Sequence, residues 1–172
     1  MGPLTGSALA VETARGLLER GVHVERVFVG AQLLGDAADR RRAVAELKLR
    51  SNADIAAWLS GRGGYAELDE LDAQRAEHVG AAYRHDILSA HGWFVDALEA
   101  PPAVRLSAPV TVVVAADDPA AAGFQSRHRD WQLVAERVEL HELADGGHYF
   151  LRSRPTEAAQ AVWRATRTLT LS

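Results

Sequence analysis

Apolar residues recur at helical spacing over residues 7–20, where Leu9, Thr13 and Leu17, together with Val11, Ala14 and Leu18, fall on one broad face. Ser7 is placed to cap the start of this helix and Gly21 to end it. The run Val24-Glu-Arg-Val-Phe-Val-Gly30 follows, β-branched and aromatic, and predicts a strand. From residue 39 to residue 99 the pattern is almost wholly helical: residues 40–50, residues 53–60, a break at Gly61-Arg-Gly-Gly64, then a long stretch over residues 72–98. Pro101 and Pro102 close that segment. Ala108-Pro-Val-Thr-Val-Val-Val-Ala-Ala116 is then a nearly continuous apolar run, the signature of a strand covered on both faces in a parallel sheet. Residues 129–137 predict a short helix, Val138-Glu-Leu-His-Glu-Leu143 a third strand, and residues 155–169 a closing helix with Pro155 in its first turn.

Strands that alternate with helices predict an α/β fold, and strands joined by helical crossovers must run parallel. Three strands make a thin sheet, and the strand ending at Gly30 has one neighbour and one bare edge. The expectation is a partial fold that starts inside a larger sheet. A partner subunit, or a second copy of the chain, would complete it. Three segments follow: 1–38 with the first helix and strand, 39–100 as a helical insertion, and 101–172 with the remaining core.

The 172 residues are 48% apolar and 24% charged, which fits a globular chain rather than a disordered one. Nineteen basic against 23 acidic residues give a net charge of −4, and Lys48 is the only lysine. No clustered basic face is available to grip nucleic acid. The absence of cysteine excludes disulfides, thiolate catalysis and cysteine-held zinc or iron–sulfur centres. No apolar run approaches the roughly 20 residues that cross a bilayer, and the start lacks the pattern of a signal peptide, so the expected location is the cytoplasm. His78 and His85 stand seven apart on a helix with no third ligand in view, so neither a metal nor another cofactor is expected.

The chemistry concentrates in two stretches. Val112-Val-Val-Ala-Ala-Asp-Asp-Pro119 places an Asp just past a strand, and Asp145-Gly-Gly-His-Tyr-Phe-Leu151 places His148 thirty residues after Asp118. Together they resemble the C-terminal half of α/β-hydrolase thioesterases, specifically the type II and terminal thioesterases of nonribosomal peptide and polyketide assembly lines. The resemblance extends over Gly6-Ser-Ala-Leu-Ala-Val-Glu-Thr-Ala14, the first strand, and a helical lid with Gly63-Gly-Tyr65 and Tyr83-Arg-His-Asp86. It implies that Asp118 orients His148 and that His148 serves as a general base. A carrier-bound acyl group or a small molecule is the implied substrate.

Two departures limit the carry-over. The family's nucleophile elbow, Gly-x-Ser-x-Gly, corresponds to Gly2-Pro3-Leu4-Thr5-Gly6, so Leu4 stands where the serine belongs and no acyl-enzyme can form there. Thr5 and Ser7 are one and three positions away, where a hydroxyl would aim elsewhere. The strands that precede the elbow in the family, and one oxyanion donor loop, have no counterpart in this sequence.

Several residues admit two readings. Asp118 and His148 are either a catalytic pair or a structural hydrogen bond that outlived its nucleophile. Asp117 beside them reads as solvated, and Gly146 and Gly147 as allowing the tight backbone path into His148. Trp58, Trp93 and Phe94 occupy apolar positions of the lid helices, where packing and the lining of an acyl channel both fit. Tyr83, Arg84 and Asp86 suit lid docking or substrate contact. Arg40-Arg-Arg42 reads as a solvated helix face, with contact to the phosphate of a phosphopantetheine arm as the alternative. The expected functions are a general base in a split thioesterase-like enzyme, running a displacement or cyclisation without a serine; a non-catalytic scaffold; or a truncated thioesterase.

Overall fold

The computed structural model describes residues 3–60 and 72–167. Its core is a parallel sheet of three strands, β1 (Val27–Gly30), β2 (Val110–Ala115) and β3 (Val138–Leu143), in that spatial order. Val27 stands opposite Val110, and Val110 opposite Val138. Every residue of β2 is buried, as its nearly unbroken apolar run requires: it has a strand on each side and helices on both faces.

Side-chain alternation splits the strands between two cores. Val27 and Val29 of β1 and Val110, Val112 and Val114 of β2 point to one face, under α1 (Pro3–Glu19) and the end of α4 (Ala73–Glu99). Val113, Ala115 and Leu143 point to the other, where they meet Phe150 of α6 (Phe150–Ser153) and Ala158 and Ala161 of α7 (Pro155–Arg167). On that second face the buried guanidinium of Arg26 reaches across the sheet, donating to Thr111 Oγ1 of β2 at 2.6 Å and pairing with Glu139 of β3.

α1 begins four residues before the expected cap. Pro3 occupies its first turn, where a missing N–H costs nothing, and Ser7 is buried inside the helix. Only part of the predicted apolar face is covered. Val11 and Ala14 are buried, whereas Leu9 and Leu17 remain 47% and 37% exposed. β1 starts at Val27 rather than Val24 because its partner starts at Val110: the Val27 N–H bonds the Pro109 carbonyl, and nothing precedes that rung. Among the described residues the other edge of β1 has no strand beside it. In place of the single helix expected over residues 129–137, the chain forms α5 (Phe124–Arg127) and then a 3-10 run, His128–Leu133, anchored by the fully buried Trp131.

The insertion is built from α2 (Ala37–Leu49), α3 (Asn52–Ser60) and the first half of α4. Asp36 caps α2 through the N–H groups of Ala38 and Asp39. Gly80 lets α4 approach α3 closely, since a Cβ there would run into the Asn52 backbone carbonyl. Arg84 clasps the same corner, donating to Asn52 Oδ1 and the Leu47 carbonyl at 2.8 Å each and to the Arg50 carbonyl. Gly61-Arg-Gly-Gly64 and Tyr65 lie outside the described residues. No described helix is long and apolar enough to cross a membrane.

Candidate active site

β2 ends at Ala115, and the chain turns at once: the Asp118 N–H bonds the Ala115 carbonyl. The Asp118 side chain is wholly buried and uses both oxygens. Oδ1 accepts from the Ala120 N–H at 2.9 Å, capping the short 3-10 turn Pro119–Ala121, and Oδ2 lies 3.0 Å from His148 Nδ1. A carboxylate can only accept, so this contact fixes the proton on Nδ1 and leaves the lone pair on Nε2. Asp118 thus selects the tautomer of His148 that can act as a base. The His148 side chain is 32% exposed and opens into a cavity of about 220 Å³.

His148 reaches this position through a tight loop that only glycine accommodates. Gly146 and Gly147 have φ of 125° and 61°, and a Cβ on Gly146 would come within 2.9 Å of Phe150 and Arg154. Asp117, exposed as expected, turns out to hold that loop. Its carboxylate accepts from the Gly147 N–H at 2.8 Å and the Gly146 N–H at 3.3 Å, and these bonds, that from Gly147 first, hold its pKa below the usual carboxylate range. Ser153 Oγ donates to the Gly146 carbonyl at 2.7 Å, and Arg154 pairs with Asp145 at 2.5 Å. The two adjacent aspartates divide the work: Asp118 orients the imidazole and Asp117 the backbone that carries it.

The opposite wall is the segment after β1. Ala31 adopts φ 52°, rare for a residue with a side chain, and its N–H bonds the Val113 carbonyl. The Gln32 carbonyl accepts from the indole N–H of Trp131 at 3.1 Å. Arg40 of α2 closes this wall, donating from Nε and Nη2 to the Leu34 carbonyl at 3.1 and 2.8 Å and from Nη2 to the Leu33 carbonyl at 2.7 Å. Its guanidinium lies 4.3 Å from the centre of the Phe94 ring, and its pKa is lowered to about 10 by burial and then by the nearby charge of Arg127.

The arginine run is therefore not one solvated face. Arg41 pairs with Glu99 and Arg42 with Asp39 on the outside, while Arg40 turns inward. Its helical register with Ala43 and Leu47 was the signal that sets it apart. Trp131 and Gln32 carried no signal of their own in the sequence.

The four aromatic residues singled out in the lid fall into two pairs. Trp58 and Tyr83 pack at 5.9 Å and line a lid pocket of about 180 Å³ with Leu47, Ile55, Ile87 and His91. Burial, followed by the charge of Arg40, pushes His91 down to about 4, so it is neutral in this pocket at physiological pH. Trp93 and Phe94 lie instead against Trp131, at 6.2 and 5.8 Å, within the main core. Trp93 donates its N–H to Glu12 of α1, and Phe94 is fully buried. Neither of the two lines the His148 cavity.

Leu4 sits in the first turn of α1, half-buried against the main core, and Thr5 and Ser7 are buried. None of the three lines the cavity at His148. Gly2 lies outside the described residues. Among the described residues no group of three or more acidic or histidine side chains is placed to hold a metal ion.

No protein-family model matches the sequence, and none of the curated proteins does. Solved structures do match in fold. The type II thioesterase BorB from the borrelidin biosynthetic cluster is 17% identical at a TM-score of 0.51, over 94% of this chain and 62% of its own. RedJ, a thioesterase of the prodiginine pathway in Streptomyces coelicolor, is 24% identical at a TM-score of 0.57, over 94% of this chain and 60% of its own. Human thioesterase 2 is 19% identical at a TM-score of 0.63, over 97% of this chain and 70% of its own. The chain shares with these thioesterases an α/β-hydrolase fold, present in part: it spans about three fifths of the two pathway thioesterases.

Proposed function

We propose that this chain is a thioesterase-like subunit of a natural-product pathway of the nonribosomal peptide or polyketide kind, in which His148, oriented by Asp118, is the general base. The observation that carries this is the 3.0 Å contact between buried Asp118 and a half-exposed His148 whose Nε2 is left to accept a proton, at the edge of the sheet where its strands end. A pair kept only for structure would gain nothing from a cavity at the ring. Leu4 has no hydroxyl, and those of Thr5 and Ser7 do not line the cavity. The reaction assigned to it is therefore a direct one: His148 removes a proton from a substrate amine or hydroxyl, which then attacks an acyl carbon within the same molecule and expels its leaving group, a displacement or cyclisation. The similarity to BorB and RedJ supports a carrier-bound or small-molecule acyl substrate.

A partner subunit beside β1 is the second half of the proposal, with a second copy of this chain as the alternative occupant. The free edge of β1 supports it. So do the exposed Leu9 and Leu17 on α1, which packs over β1, and the exposed Leu151, whose side chain lies at Gly30 at the end of β1.

The reaction is tested by running the assembled protein on its carrier-bound substrate in ¹⁸O-labelled water. The expected product is cyclised or displaced and free of ¹⁸O. A free acid carrying ¹⁸O would mean hydrolysis and overturn the reading in favour of a thioesterase acting with another nucleophile. No product from a properly assembled complex would favour a scaffold.

A further inference from the structure

Among the described residues the cavity at His148 is lined by two arginines and by no acidic side chain. Arg40 enters from α2 and Arg127 from α5. Every hydrogen bond that either makes among the described residues goes to a backbone carbonyl: Arg40 to Leu33 and Leu34, Arg127 to Ala122 at 3.2 Å. Neither is paired with a carboxylate there, in contrast to Arg26, Arg41, Arg42 and Arg154, which each have one. Asp118, the buried acid of the same site, already uses both oxygens, one on the Ala120 N–H and one on His148.

Two guanidinium groups that repel one another, one of them largely withdrawn from water, raise the free energy of the empty cavity. An oxyanion between them removes that cost, and the planar N–H pattern of guanidinium suits carboxylate and phosphate oxygens. The Nη1 group of Arg40 makes no hydrogen bond among the described residues, so it remains available as a donor. The strained Ala31 backbone and the Trp131 bond to Gln32 hold the wall beside Arg40, so this donor is positioned before any ligand arrives.

We propose that Arg40 and Arg127 form an oxyanion subsite for the substrate of His148, which carries a carboxylate or a phosphate ester close to the atom that His148 deprotonates. The inference rests on the reading of His148 as a base and adds the chemical class of what it acts on. Size restricts where the anion sits. Arg40, Arg127 and His148 all line this one cavity of about 220 Å³. An anion held by the arginines while a reacting group meets His148 in the same space therefore belongs to the reacting body of the substrate, not to a long carrier arm.

The test is a titration of the purified full chain with inorganic phosphate and, separately, with acetate, followed through the arginine Nε–H signals in ¹H–¹⁵N spectra. Saturable shifts of the Arg40 and Arg127 signals in the millimolar range are expected. Tighter binding of phosphate assigns a phosphate ester, and tighter binding of acetate a carboxylate. Arg127→Gln is expected to weaken binding about tenfold while leaving the rest of the spectrum in place, since Arg127 is exposed and its one bond is peripheral. Arg40→Lys, which keeps the charge and loses the planar fork, is expected to weaken it too. Absence of saturation by either anion, or unchanged affinity in Arg127→Gln, overturns the subsite. Anion binding is read without turnover, so a failure of His148 as base would appear separately, as intact binding in a His148→Ala chain whose assembly keeps full activity.

Discussion

Replacing His148 with Ala is expected to lower turnover of the assembled protein by about 10²–10⁴-fold, the usual worth of a positioned general base. The loss is expected in kcat rather than KM, because the ring contributes a proton acceptor and little binding surface. Asp118→Asn is expected to reproduce most of that loss. The amide can donate to Nδ1, which puts the imidazole proton on Nε2 and removes the base, while the cap on the Ala120 N–H survives through the side-chain oxygen. Both variants are expected to stay folded, since His148 is partly exposed and the loop that carries it is held independently by Asp117 and Ser153. Steady-state kinetics on the carrier-bound substrate, with circular dichroism as the control for folding, is the check. A scaffold predicts the opposite: both variants assemble normally and pathway output is unchanged.

Phe94→Ala is expected to destabilise the fold by about 3–5 kcal/mol. The ring is fully buried and stands edge-on to Trp93 at 5.0 Å and to Trp131 at 5.8 Å, with the guanidinium of Arg40 at 4.3 Å. Its removal opens a cavity at the seam where α4 meets the sheet and deprives a largely buried cation of its aromatic face. For a chain of this length the loss corresponds to a fall in Tm of about 10 °C. Phe94→Leu, which keeps most of the volume, is expected to cost about 1.5 kcal/mol or less. Chemical unfolding followed by tryptophan fluorescence measures both. A cost below about 1 kcal/mol for the Ala variant would contradict the packing described and leave Phe94 free for the channel-lining alternative.

The elements were legible where burial imposes a period. β2 and β3 lie where their apolar patterns put them, because a strand between two neighbours or under a helix leaves little choice of residue. The ends of elements were less legible. α1 starts early because proline suits a first helical turn, and β1 starts late because pairing, rather than composition, decides where a ladder begins. Asp118 and His148 could be named from the sequence, since a strand, a turn and a glycine-rich loop converge on one sheet edge. The supporting residues could not. Asp117 looks like any exposed acid until the Gly146 and Gly147 amides are seen to face it. Arg40 is set apart from Arg41 and Arg42 only by its helical register with Ala43 and Leu47, and it is tertiary packing that turns it toward Phe94 and the cavity. Such roles depend on contacts between distant segments, which no local pattern encodes.

In the function proposed for it, the His148 site works in an assembly that completes the sheet at β1. Native mass spectrometry of the 18.6 kDa chain, co-expressed with the proteins encoded beside it, tests this most directly. A defined complex with one of those proteins, or with a second copy, is expected, in which the amides of residues 27–30 become protected from hydrogen exchange. A well-folded monomer that binds none of them, with those amides exchanging no differently in their presence, would contradict it.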